Sequence, residues 1–161
     1  MIIKSIEIRI DGKTLQKMPK GTEVESGMRR TEINMQAVEN SVEKLSKVVV
    51  YYHKKGSGMY SYFVPVTKLV SGFKNSAEAA VNSLLEGPDE DTGLNNPFPD
   101  GTQLLGVQVN GGTAYVNFSE QILIKQGDKA AESAMIKSVA LTLKEFPEVS
   151  KVKIFVNGKI V

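Results

Sequence analysis

The side chains that do most protein chemistry are scarce here. Among 161 residues there is no cysteine and one histidine, His53. Without cysteine there are no disulfides, no thiolate nucleophiles and no Cys-based zinc or iron–sulfur sites, and either redox compartment suits the chain. His53 lies beside Lys54 and Lys55, and no carboxylate partners it in sequence. Ser57, Ser61, Ser71 and Ser83 stand outside any G-x-S-x-G elbow. Gly56-Ser57-Gly58 is a turn, and no phosphate-cradling glycine motif occurs. Asp89-Glu90-Asp91 is an acidic cluster, but a calcium loop needs ligands spaced about a glycine and a distant bidentate glutamate, and that spacing fails. No carboxylate pair can be assigned to glycoside chemistry. Asn117-Phe118-Ser119 is a formal glycosylation sequon, on an expected strand. Tyr51, Tyr52, Tyr60 and Tyr62 interleave with Lys54, Lys55 and Lys68, a pattern that can stack bases. Yet no RNP-like run is present and the net charge is only +2, so the tyrosines read as sheet packing and no nucleic-acid partner is expected. No catalytic, cofactor-binding or metal-binding residue is assigned, and the reading is not an enzyme.

The elements are easier to place than any site. Lys47 to His53 is rich in β-branched and aromatic residues, which suit a pleated surface. Lys54 to Gly58 is a turn, and the pattern resumes from Met59 to Val70. Pro65 lies inside this second strand and donates no ladder bond, so it predicts an edge strand or a bulge. A helix over 76–86 has Asn75 as N-cap, Glu78 completing a capping box, and an apolar stripe of Ala77, Ala80, Val81, Leu84 and Leu85. Gly87 in a left-handed C′ position and Pro88 end it. Residues 88–102 are a loop. A hairpin of 103–109 and 113–118 turns at Asn110-Gly111-Gly112. Asp128 caps a helix over 129–145 whose buried side carries Ala131, Met135, Val139, Leu143 and Phe146, with Ile136 and Ala140 beside them; Pro147 stops it. A strand over 151–156 meets Asn157-Gly158, and Lys159 to Val161 fold back briefly. Residues 35–45 suit a short helix and 14–34 a linker.

Apolar residues are 41% and charged residues 24%, which excludes wholesale disorder. No run approaches the roughly 18 apolar residues of a membrane span. The alternating charges after Met1-Ile2-Ile3 do not read as a signal peptide. Charge is blocked: residues 47–74 carry five lysines and no acid, and residues 75–101 carry six acids and no base. The blocks either neutralise each other within one fold or form opposite faces suited to contact with copies or partners.

One stretch repeats. Ile3 to Lys13 aligns with Val149 to Lys159: Ile8/Ile154, Gly12/Gly158 and Lys13/Lys159 are identical, and Asp11/Asn157 are equivalent turn formers. Either two short strands look alike, or residues 1–13 are the closing strand of a preceding copy of the domain at 47–161, with 14–46 a linker. On the second reading residues 4–10 pair with an edge strand of this domain or of a neighbouring copy.

In order along the chain, Val48 to Tyr52, Phe63-Val-Pro-Val66, Ala77 to Pro88, Phe98-Pro-Asp-Gly-Thr102, Ala114 to Ser119, Leu141 to Pro147 and Val152 to Gly158 resemble the GerMN domain family of sporulation and germination proteins. The resemblance covers about 47–161, and the family's tandem arrangement fits the echo at 3–13. It implies an α+β fold, β-β-α-β-β-α-β, with two helices on one sheet face, akin to ring-building motifs. It implies no catalysis and no cofactor. It implies an interaction or assembly role among sporulation envelope proteins, self-association included, helping to localise the channel complex between mother cell and forespore. The implied location is extracytoplasmic, in the space between the two membranes. The sequence departs from the pattern in lacking the secretory or lipoprotein start and most of a first domain, so a membrane is implied only through an N-terminal anchor missing from this chain. The rival reading is a small-ligand-binding or hydrolytic envelope domain whose 88–102 loop lines the site.

Overall fold

Val48 to Tyr52 are five consecutive residues, all buried. A strand alternates its side chains, so such a run needs cover on both faces. The computed structural model, which describes residues 7–17, 46–56, 61–71, 75–125 and 127–160, shows how that cover is built. The expected helix over 35–45, most of the linker, and Met59 and Tyr60 lie outside the described residues.

Strands β1 (Arg9–Ile10) and β2 (Lys13–Thr14) form a small exposed hairpin. Strands β3 (Ser46–Lys55) and β4 (Ser61–Val70) pair antiparallel along their whole length. Helix α1 (Ser76–Glu86), β5 (Leu104–Asn110), β6 (Thr113–Phe118), α2 (Lys129–Leu143), β7 (Lys151–Val156) and β8 (Lys159–Ile160) follow. Short 3-10 turns lie at Glu90–Thr92 and Glu120–Lys125.

The order from β3 to β7 is β-β-α-β-β-α-β, as the sequence predicts. The strands divide, however, between a two-stranded ribbon, β3–β4, and a four-stranded sheet in the order β5-β6-β7-β8, rather than forming one sheet. The reason lies at the outer edge of β3. Its Tyr51 N–H donates to Thr142 Oγ1 of α2 at 3.0 Å, and its His53 carbonyl accepts from Asn95 N at 2.8 Å. Helix and loop thus occupy the edge that a further strand would use.

Pro65 faces Tyr51 across the ribbon. Antiparallel pairs alternate between bonded and non-bonded positions, and the outward N–H of Tyr51 marks this pair as non-bonded. A missing N–H there costs no ladder bond. The strand is an edge, with unbroken register and no bulge.

Both helices lie on one face of the four-stranded sheet. Ala114, Val116 and Phe118 of β6 point inward and share one apolar core with Ala80 and Leu84 of α1 and with Met135, Val139 and Leu143 of α2. Helix α1 is capped as expected: Asn75 Oδ1 accepts from Glu78 N at 2.6 Å. Gly87 ends it at φ 89° and ψ 174°, a positive-φ but extended conformation rather than a left-handed turn. Asp128 Oδ1 caps α2 by accepting from Ala130 N and Ala131 N at 3.0 and 3.1 Å. Helix α2 stops at Leu143, two residues early, because i−3 bonds from Glu145 and Phe146 tighten the chain ahead of Pro147.

The echo between the chain's two ends is structural. Asp11 and Gly12 turn with φ 49° and 76°, and Asn157 and Gly158 with φ 46° and 78°. Ile10 faces Lys13 as Val156 faces Lys159, and Arg9 faces Thr14 as Phe155 faces Ile160. The sequence leads one to expect residues 4–10 on another edge, of this domain or of a neighbouring copy; among the described residues Arg9 and Ile10 instead pair with Lys13 and Thr14, and residues 4–6 lie outside the described residues. A turn with both central residues at positive φ supplies the nearest partner at the least loop-closure entropy.

Candidate interaction surface

The polar groups that look most like chemistry hold the fold together. Lys68 stands in a largely apolar strand, where desolvation alone makes a charge costly. Its Nζ donates to the Gly87 carbonyl at 2.7 Å and lies 5.5 Å from the centre of the Tyr52 ring. Tyr52 is fully buried, and its hydroxyl lies 2.7 Å from both the Ser83 and the Gly87 carbonyls. These are orphan acceptors of the last turn of α1, where a cation also complements the helix dipole. Burial pushes the Tyr52 hydroxyl well above its ordinary pKa, helped by the charges of Glu86 and Asp89. Burial lowers Lys68, opposed by the same two carboxylates. A tyrosine held protonated against two carbonyls, with no exposed surface, is a helix cap.

The sequence-singled residues disperse. His53 is half-buried, its ring 5.6 Å from Phe63, and its carbonyl holds Asn95 of the 88–102 loop. Asp89, Glu90 and Asp91 sit around the first 3-10 turn, where Thr92 N and Oγ1 both donate to the Asp89 carbonyl. Among the described residues no group of three His, Asp or Glu side chains converges on a metal position. Tyr51 and Tyr52 are buried and offer no stacking face, while Tyr62 is exposed on β4. The His53–Asn95 bridge brings the basic end of β3 beside the acidic loop. The two charge blocks are therefore neighbours in one fold. Among the described residues the ion pair seen is Arg9 with Glu7, at 3.1 Å.

The most concentrated exposed feature is apolar. The inward residues of β6, Ala114, Val116 and Phe118, are buried in the shared core, whereas Val152 and Ile154 of β7, on the α2 side, are half-buried. The inner sheet face therefore extends beyond the helix. A groove of about 380 Å³ results, walled by Met135 and Ile136 of α2, Ile122 and Leu123 of the second 3-10 turn, and Val152 and Ile154 of β7. Around it Ile136 is 54% exposed and Ile160 67% exposed: Met135, Val139 and Leu143 of the expected α2 stripe are buried, and Ile136, expected beside that stripe, reaches solvent. Along one side of the groove runs a sheet edge: β8 pairs only with Phe155 and Val156, leaving residues 151–154 of β7 bordered by β6 alone among the described strands. Period reading of α2 found the apolar stripe but not its partial cover, because the width of the sheet beyond the helix is a tertiary property.

A hairpin ribbon and a four-stranded sheet that share one core with two helices make the architecture of a GerMN domain. The chain belongs to the Germane family, described as sporulation and spore germination, which matches residues 49–161. It is 31% identical over 164 residues to the spore germination protein GerM of Bacillus subtilis (strain 168), covering 98% of this chain and 44% of that protein. The chain thus spans less than half the length of this relative. The solved tandem GerMN domains of the sporulation protein GerM from B. subtilis superpose with a TM-score of 0.75 at 30% identity, over 98% of this chain and 56% of that one. The first GerMN domain of the same protein gives 0.56 at 26% identity, over 73% of this chain and 86% of that one. A putative lipoprotein from Clostridium perfringens shares the fold, with a TM-score of 0.51 at 19% identity, over 78% of this chain and 83% of that one.

Proposed function

We propose that residues 47–161 are a non-catalytic interaction domain of a sporulation envelope protein. It acts outside the cytoplasm, between the mother-cell and forespore membranes, and helps to localise the channel complex there by binding other envelope proteins. The observation that carries the reading is the apolar groove beside the incomplete edge of β7, in a family tied to sporulation. Exposed apolar surface rimmed by polar groups is what a protein partner covers. Buried Tyr52 and half-buried Lys68 are by contrast committed to capping α1.

The domain arrangement proposed is a closing strand of a preceding repeat at 1–13, a linker at 14–46, and the domain proper. The matching turns and registers of the β1–β2 and β7–β8 hairpins support it.

Deleting residues 47–161 in sporulating cells tests the function. A fluorescently tagged channel component loses its focus at the forespore boundary if the reading holds. A focus that persists at normal intensity contradicts it.

A further inference from the structure

We propose that the exposed edge of β7 takes an added strand from a partner protein, an extended segment that alternates apolar and acidic residues. This rests on the reading of the chain as an interaction domain and names where and what it binds. Three observations converge on that occupant. First, among the described residues β8 pairs with Phe155 and Val156 alone and no other strand lies beside residues 151–154 on that side, so the edge there offers backbone groups that an extended peptide satisfies and a lipid or sugar does not. Second, the inward side chains of that stretch, Val152 and Ile154, open into the groove of about 380 Å³, whose walls are mostly apolar. A strand laid on the edge sends every second side chain into this groove. Third, the outward side chains of the same stretch are Lys151 and Lys153, both exposed. Lys153 is held with its Nζ 5.7 Å from the centre of the Tyr115 ring. The outward residues of the added strand lie beside these two lysines, and acidic side chains complement them.

The same lysines argue against a second copy. Two copies joined edge to edge through β7 would set Lys151 and Lys153 of one against those of the other, and like charges directly opposite repel. Lysines on an exposed edge are a common guard against such pairing. Glu132 of α2, which also lines the groove, leaves the balance of this rim basic with Lys153 and Lys151 counted.

The test uses the full 161-residue chain and two fluorescein-labelled octapeptides, one alternating valine and glutamate, the other valine and lysine. Anisotropy reads binding, and amide hydrogen exchange reads the site. The proposal expects the glutamate peptide to bind, with new protection at residues 151–154. The Lys151→Glu/Lys153→Glu double variant should bind it roughly tenfold more weakly and should gain affinity for the lysine peptide. Ile136→Glu, at a half-exposed wall, should weaken both peptides and leave circular dichroism unchanged. Three results overturn the proposal: no binding of the glutamate peptide, binding that ignores the charge reversal, or protection that maps elsewhere. Sedimentation showing a dimer that protects residues 151–154 would assign the edge to a second copy and overturn it as well. Failure here leaves the sporulation reading standing, since that is decided in cells by the deletion above.

Discussion

The amide of Tyr51 and the hydroxyl of Thr142 meet at 3.0 Å, joining the ribbon to the second helix. The bond exists because Pro65 sits opposite Tyr51 and the pair is a non-bonded one, which turns the Tyr51 N–H outward. Thr142 is fully buried, so no water replaces it. Thr142→Val keeps the volume and orphans the amide. The expected loss is about 1–3 kcal/mol in urea unfolding, with Thr142→Ser losing clearly less. Equal stability of the valine variant and the parent would mean the amide finds another acceptor.

Ser138 carries the opposite prediction. Its Oγ is fully buried in α2 and has no hydrogen-bond partner among the described residues. Ser138→Ala removes a desolvated hydroxyl and raises helix propensity, so stability should rise by about 1 kcal/mol. A loss in thermal or urea unfolding would show that the hydroxyl is satisfied in solution.

The cap at the end of α1 predicts an alkaline limit. The folded state holds the Tyr52 proton above its ordinary pKa of 10.0, so above that value the unfolded chain releases a proton that the folded chain keeps. Stability therefore falls as pH rises past the ordinary tyrosine value. Lys68 acts with the opposite sign: its lowered pKa makes the unfolded chain bind more protons just below 10.5, and stability rises with pH there. Tyr52→Phe should remove the alkaline loss and cost about 1–2 kcal/mol at neutral pH. An unchanged alkaline limb in the phenylalanine variant would contradict the assignment.

The caps and turns of this fold are legible in the sequence because they are local. Asn75 and Glu78 are three residues apart, and Asn157-Gly158 sets its own turn. Pro65 is legible as an edge signal, and β4 is an edge. What escapes is whatever depends on distant partners. Tyr52 and Gly87 are 35 residues apart along the chain, and Tyr51 and Thr142 are 91 apart. The separation of ribbon from sheet follows from such contacts, and strand composition does not encode it. The groove escapes for the same reason, since Ile136 looks like any residue flanking the stripe until the surface that α2 leaves uncovered is known. Lys68 offered one usable signal, a charge inside an apolar strand.

The β1–β2 hairpin is exposed, and its described strands pair only with each other. Deleting residues 1–13 should therefore leave the thermal midpoint of the remainder within about 2 °C, no more than the shift of one lost kcal/mol in a chain of this size. Cooperative loss of the whole fold on that deletion would make the hairpin integral and would sink the tandem-repeat arrangement.

The central claim is that binding, without catalysis, is the work of this domain. The direct measurement is sporulation efficiency with the triple variant His53→Ala/Asp89→Ala/Asp91→Ala expressed in place of the parent chain, with folding checked by circular dichroism. The account predicts spore counts equal to those of the parent, because these side chains lie away from the groove and form no shared centre. A well-folded triple variant that fails to support sporulation would contradict the account and favour chemistry at the 88–102 loop.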